Sequence, residues 1–195
     1  MSGKHEVQTR GIVLSRFSSG EGSVRAIIFT EALGLVSTLA KSAREERSKL
    51  RPHLTVGTYG HFGFVRGAQV WRLVGATETR NTYFALSGRP KAQYASARFL
   101  SLLRTLIQGE ERDEELFAHA WNFMCALESV PDELLVHVER FATLAVLASL
   151  GYVSKDAVPG APDFDYTPSA IEALVPLEKQ IATAIQNGFS ASGLI

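Results

Sequence analysis

Apolar and polar residues alternate along the first eighty positions of the chain and give way to a helical rhythm beyond Thr82. Val7 to Phe17 alternates and is rich in β-formers. Ser18-Ser-Gly-Glu-Gly-Ser23 is a turn signal, and Val24 to Thr30 predicts the returning strand. Glu31-Ala-Leu-Gly34 predicts a second short turn leading into Leu35–Lys41. After a longer connection, Leu54 to Arg66 predicts a fourth strand, and its glycines at 57, 60 and 63 suit a coiled or bulged course. Gly67-Ala68 turns the chain into a fifth strand, Gln69 to Thr77. Five short strands with a longer link between the third and fourth fit a small OB-like barrel.

Beyond Thr82, Tyr94, Ala97, Leu100, Leu103 and Leu106 keep helical spacing, as do Leu116, Ala120, Phe123 and Leu127. Gly109 to Asp113 separates these two helices. Pro131-Asp-Glu opens a third over Leu134 to Leu150, with its acids where the helix dipole favours them, and Gly151 is its C-cap. Lys155 to Pro168, with prolines at 159, 162 and 168, reads as an irregular loop. A last helix is predicted from Pro168 or Ser169 to Gln186, ended by Asn187-Gly188. The predicted class is α+β: an N-terminal five-stranded OB-fold barrel over residues 1–80, followed by an α-helical domain over 81–195.

Charge sharpens this division. Residues 1–80 carry twelve Lys+Arg against six acids, whereas residues 81–195 carry eight against fourteen, so a net charge of zero hides two halves of opposite sign. A basic first half points to a polyanionic partner. The densest run is Lys41-Ser-Ala-Arg-Glu-Glu-Arg-Ser-Lys-Leu-Arg51, the link between the third and fourth strands. Cations there can neutralise phosphates, the main sequence-independent source of nucleic-acid affinity. A solvated, charge-rich loop is the alternative reading, with Glu45 and Glu46 free to pair with two of the cations. Tyr59, Phe62, Phe64 and Trp71 lie near Arg66 and Arg72 on the last two predicted strands, an arrangement suited to stacking bases. Strand alternation makes Phe62, Phe64 and Trp71 core residues and leaves Tyr59 as the candidate exposed ring.

Traces of catalysis are few. The five histidines form no HxxxH or HExxH pattern, and one Cys excludes both an internal disulfide and a multi-Cys zinc site. Cys125 sits in an apolar helical stretch, where a thiol acts as a small hydrophobe. Gly20-Glu-Gly22 lacks the Lys and helix of a phosphate loop. Neither catalytic residues, nor a metal, nor a cofactor are expected. The polar start of the chain and the lack of a long apolar run predict no signal peptide, no membrane span and a cytoplasmic location.

Gly11-Ile-Val-Leu14, Gly20-Glu21, Phe29-Thr30, Gly34, Lys41-x-x-Arg44 and Ser48-Lys-Leu-Arg51 occur in that order, with Glu78 ending the last strand. In these motifs residues 7–80 resemble the N-terminal domain of the RecO family of bacterial recombination mediators, and Leu150-Gly-Tyr152 resembles the family's helix end. The resemblance implies an OB-fold DNA-binding domain and a helical domain. It also implies binding of single- and double-stranded DNA, annealing of complementary strands, and help to the recombinase in displacing single-strand-binding protein. RecR and the acidic C-terminal tail of single-strand-binding protein are the implied partners. Three departures stand out: Val153 to Tyr166 lacks the four-cysteine zinc motif of many members, Ser42 stands where the family usually has Gly, and the chain is shorter than is typical. The last bears on any partner contact made by the missing part.

The expected contact residues for nucleic acid are Arg16, Arg25, Lys41, Arg44, Arg47, Lys49, Arg51, Tyr59, Arg66 and Arg72, first among them Lys41, Arg44, Lys49 and Arg51. Not all can face one ligand, because neighbouring strand residues point to opposite sides. The same cations and rings would also serve an OB-type RNA-binding module of translation or RNA processing. A protein-docking scaffold with a solvated basic loop is the third alternative.

Overall fold

The computed structural model describes residues 5–160 and 165–193. Its contacts divide the chain into two compact units, Met1–Ala85 with Ile107–Glu114, and Leu86–Leu106 with Glu115–Ile195.

In the first unit, β1 (Glu6–Ser19), β2 (Ser23–Thr30), β3 (Gly34–Ala40), β4 (Thr58–Arg66) and β5 (Trp71–Asn81) close into a barrel in the order β1-β2-β3-β5-β4. This is the five-stranded OB-fold that the alternation predicts, in a chain of α+β class. Neighbours are antiparallel except β3 and β5, which run parallel through Thr38 opposite Trp71 and Leu39 opposite Arg72. Bulges interrupt the β4–β5 pairing beside Gly60 and Gly63, so the spaced glycines do mark the strongly bent strand.

Strand alternation sorts the side chains. Val13, Ala26, Ile28, Val36, Phe62, Phe64, Trp71 and Leu73 fill the interior. Phe62, Phe64 and Trp71 are therefore core, with Phe64 and Trp71 edge to face at 6.3 Å. Leu54 belongs to this interior too, but not as the start of β4. A 3₁₀ turn at Pro52–Leu54 places it beneath the barrel, where Pro52 sets the turn and removes a ladder donor. β4 begins only at Thr58.

The chain returns to the barrel after leaving it. Leu35 N–H donates to the Gly109 carbonyl at 3.1 Å, and Arg66 pairs with Glu110. Gly34 makes this approach possible. Its φ is +66°, and a Cβ there would lie 2.2 Å from the Glu111 carbonyl oxygen. The short helix α1 (Thr82–Ala85) ends the contiguous part of this unit.

The second unit holds α2 (Pro90–Leu106), α3 (Glu114–Ser129, from its second residue), α4 (Leu135–Ser149), α5 (Pro168–Glu172) and α6 (Glu178–Ser192). Phe99 and Phe123 pack at 4.2 Å between ring centroids, and Phe141 meets Tyr166 at 5.5 Å. Arg89 caps the end of α3 by donating to the Leu127 and Val130 carbonyls at 2.6 and 2.5 Å, which satisfies groups the helix leaves unpaired.

Several helical expectations need correction. On α2 the buried face is Ala92, Ala95, Ser96, Phe99, Leu100, Leu103 and Leu106, so Tyr94 and Ala97 face solvent. Residues 132–134 form a 3₁₀ turn, and α4 starts at Leu135. Gly151 does close α4, with Tyr152 N–H on the Leu147 carbonyl at 2.9 Å. The last helix is broken at Val175–Leu177, where Pro176 cannot donate. Gly188 lies inside α6 and does not end it: a Cβ there would meet Val153 at 2.5 Å, so the glycine serves helix packing. Of the irregular segment 155–168, residues 161–164 lie outside the described residues.

Replacing Gly34 by Ala adds a left-handed backbone penalty to a clash with backbone atoms, so a loss of roughly 2–4 kcal/mol is expected. A urea unfolding midpoint equal to that of the unchanged protein would contradict the packing described for residues 109–111.

Candidate nucleic-acid interface

The β1–β2 hairpin extends beyond the part of β1 that pairs with β4 and carries an arginine on each of its two sides. Arg16 pairs with Ala26 and Ser18 with Val24, residues whose side chains turn toward the barrel interior. Phe17 pairs with Arg25 on the outer side. Neighbouring residues of one strand thus start from opposite sides, although Phe17, near the hairpin tip, also borders the space beside Arg16.

On the inner side, the basic connection folds back against the hairpin tip. Arg44 N–H donates to the Gly22 carbonyl at 2.8 Å, and the Arg44 guanidinium reaches the Gly20 carbonyl at 3.4 Å. Ala43 and Leu54 are buried beneath. Between hairpin and connection lies a cleft of about 430 Å³ lined by Arg16, Phe17, Ser18, Arg44 and Arg51 over an apolar floor of Val24, Ala43 and Leu54. The connection reaches this position through Ser42, whose φ is +53°. An L-residue is strained in that conformation, which explains physically why glycine suits this position.

On the outer side, register fixes a row across four strands: Phe17 opposite Arg25, Arg25 opposite Leu39, and Leu39 opposite Arg72. With adjacent strands about 4.8 Å apart, the row spans roughly 14 Å. Phe17 is 48% exposed and Val74, also on the outer side of β5, is 50% exposed. Phe17 is the functional candidate that sequence reasoning missed. Counting pairs back from the hairpin tip, Ser19 with Ser23 and then inward, would have placed it beside Arg25.

The ten expected contact residues therefore separate. Arg16, Arg44 and Arg51 converge on the cleft, and Arg25 and Arg72 share the outer row. Lys41, Arg47 and Lys49 are exposed along the connection without lining the cleft. Among the described residues, none of these eight cations has a carboxylate at ion-pair distance, Glu45 and Glu46 included. Arg66 differs: it is paired with Glu110 and lies 4.8 Å over the Trp71 ring.

Tyr59 is a correction. Only 7% of it is exposed, so it offers no ring to solvent. Alternation did place it on the outer side, opposite Ile12, but Ile12 and Phe29 beside it are buried as well. Arg10 holds Glu31 and also bonds the Tyr59 side chain, which raises the guanidinium above its ordinary pKa. The same Arg10 hydrogen bond holds the Glu31 carboxyl below its usual range.

Among the described residues no group of three or more His, Cys, Asp or Glu is placed to hold a metal ion, and no helix is long and apolar enough to cross a membrane.

Residues 1–80, the whole span of the barrel strands but one residue, match the family described as "Recombination protein O N terminal". The chain is also similar to proteins named DNA repair protein RecO. That of Actinobacillus pleuropneumoniae serotype 5b is 27% identical over 184 residues, 94% of this chain and 75% of the relative. Similarity to RecO proteins thus extends along most of the chain, and the family match itself lies on residues 1–80. The RecO of Dehalococcoides mccartyi strain 195 is 32% identical over 76 residues, 39% of this chain and 30% of the relative. That of Alkaliphilus metalliredigens is 26% identical over 111 residues, 57% of this chain and 45% of the relative. The matched stretches thus span less than half the length of these last two RecO relatives.

Ser42→Gly should relieve the left-handed strain and stabilise the protein by about 1 kcal/mol, the lower end of the strain range once the flexibility of glycine is set against it. Urea unfolding measures this, and a destabilised variant would show that Ser42 is held by something other than backbone geometry.

Proposed function

We propose that the chain is a DNA repair and recombination mediator whose residues 1–80 form the OB-fold DNA-binding domain and whose residues 81–195 form a helical domain. It binds single- and double-stranded DNA, brings complementary strands together in the cytoplasm and, with RecR, helps load the recombinase onto DNA coated by single-strand-binding protein. The observation that carries this reading is the Arg16, Arg44 and Arg51 cleft beside an exposed Phe17, on a barrel matched to the RecO N-terminal family. Three guanidiniums free of carboxylates suit phosphates, and the ring suits a base.

No covalent chemistry is required. Cations lower the repulsion between two phosphate backbones, and base pairing supplies the rest. In the helical unit, an apolar groove of about 410 Å³ between α2, α4 and α6 includes Leu102, Val136, Ile185 and Phe189. Arg98 and Arg140 stand at its rim, paired with Glu139 and Glu178. Apolar walls with basic groups at the rim suit the acidic C-terminal tail of single-strand-binding protein.

The test is annealing of complementary strands coated with single-strand-binding protein, together with binding titrations over several salt concentrations. Annealing should accelerate, and replacing Arg16, Arg44 and Arg51 by Ala should lower the log–log salt slope by about 2, at roughly 0.7 for each phosphate contact. Replacing the ion-paired Arg10 should leave the slope unchanged. RNA bound in preference to DNA, or no acceleration of annealing, would count against the mediator reading.

A further inference from the structure

We infer that Tyr83 and Phe84 form a platform on which unpaired bases of a DNA single strand stack once the strand has left the arginine cleft. This rests on the DNA-binding reading above and adds what that reading leaves open, the feature that favours a single strand over a duplex.

Two neighbouring rings left in water forgo the burial that usually places aromatic side chains. Tyr83 is 59% exposed and Phe84 65%. The backbone that carries them is pinned to the barrel. Thr82 N–H donates to the Gly57 carbonyl at 3.1 Å. The buried Asn81 side chain donates to the Thr58 hydroxyl at 2.8 Å and accepts the Phe84 N–H at 3.3 Å. The rings meet edge to face, 5.6 Å between centroids and 79° between planes. Such packing lets each ring support the other while covering only one of their four faces. A ring pair held this way has little freedom left to lose when a ligand arrives.

The platform belongs to the barrel unit and lies within a short span of the cleft. Leu54 on the cleft floor is three residues before Gly57, whose N–H bonds Val13 of β1 and whose carbonyl bonds Thr82. Chain reach over those residues and that hydrogen bond puts the Leu54 and Tyr83 backbones within about 20 Å of each other. A strand with phosphates about 3.4 Å apart covers that distance in roughly six nucleotides. An OB-fold site takes about 4–16 nucleotides, so one strand can occupy both places. Val56, between Leu54 and Gly57, is exposed as well. Among the described residues of the barrel unit, the exposed rings are Phe17 beside the cleft and this pair.

Charge separates the two places. The cleft carries three guanidiniums, whereas the strand end leading to the platform carries one acid and one base, Glu78 and Arg80. The cleft therefore supplies phosphate neutralisation, and the platform supplies ring faces. A duplex satisfies the first, but its bases are already stacked on their neighbours. Only unpaired bases offer free faces to both rings. An apolar peptide would fit the rings yet gain nothing from the cations nearby.

Titrations of the full chain with a labelled oligothymidylate of about sixteen nucleotides, the upper end of an OB-fold site, and with a duplex of the same length test this. Tyr83→Ala/Phe84→Ala should weaken single-strand binding at least about fivefold, the lower end of what one stacked base contributes. Duplex affinity should stay within about twofold, and the log–log salt slope should not change, because no phosphate contact is removed. Tyr83→Phe/Phe84→Tyr, which keeps both rings, should bind as the unchanged chain does. Tyr83→Leu/Phe84→Leu, which keeps only apolar bulk, should lose affinity as the alanine pair does. Thermal melting reports any variant that has lost its fold. Independently of the variants, an iodouracil-containing oligonucleotide irradiated on the unchanged chain should crosslink to Tyr83 or Phe84, read by peptide mass spectrometry. Unchanged single-strand affinity in the folded alanine pair, an equal loss for duplex, leucines that bind as well as rings, or crosslinks confined to other residues would overturn the platform and leave the cleft reading intact. No DNA bound by the unchanged chain would overturn the DNA-binding reading, and the inference with it.

Discussion

Closure of the barrel depends on a parallel contact only two residue pairs long, Thr38 with Trp71 and Leu39 with Arg72. A buried hydrogen bond from the Thr38 hydroxyl to the Trp71 carbonyl, at 3.1 Å, reinforces it. Without this contact β3 and β5 would both be open edges, exposing backbone groups that must find partners. Closure also brings Arg72, 47 positions beyond Arg25 in sequence, into the same row of the outer surface. The joint that seals the core thus sets the spacing of the cations outside it.

The strands and the helical second half follow from periodicity, a local property, whereas the barrel was inferred from the number of strands and the longer link, and its closed order is a property of the structure. Leu54 escaped it, since a buried leucine beneath a barrel looks the same in sequence as a buried leucine on a strand. Gly188 was misjudged for a related reason: a glycine chosen for close packing and a glycine that stops a helix are the same letter, and only Val153 and Leu147 tell them apart. Pro176 was the legible signal for the break that does occur.

At the candidate interface, composition located the basic connection but could not sort its members. Convergence of Arg16 with Arg44 and Arg51 requires knowing that the connection folds onto the hairpin, a contact bridging more than twenty residues. Arg66 was drawn away by Glu110, 44 positions later, in a segment that reads as a plain linker. Tyr59 shows the limit of alternation: period two says which side of a sheet a ring is on, and nothing about whether that side is covered.

The returning segment has a consequence for synthesis. β5 ends at Asn81, but Gly109 and Glu110 supply the partner of Leu35 and the counter-charge of Arg66. A chain emerging from a ribosome at about 5–20 residues per second therefore waits roughly 1.5–6 s between completing its strands and receiving their last contacts. Through that interval Leu35 keeps an unanswered N–H and Arg66 an unanswered charge. The barrel is contiguous as a set of strands, yet it matures only after all of α2, a helix of the other unit, has already been made.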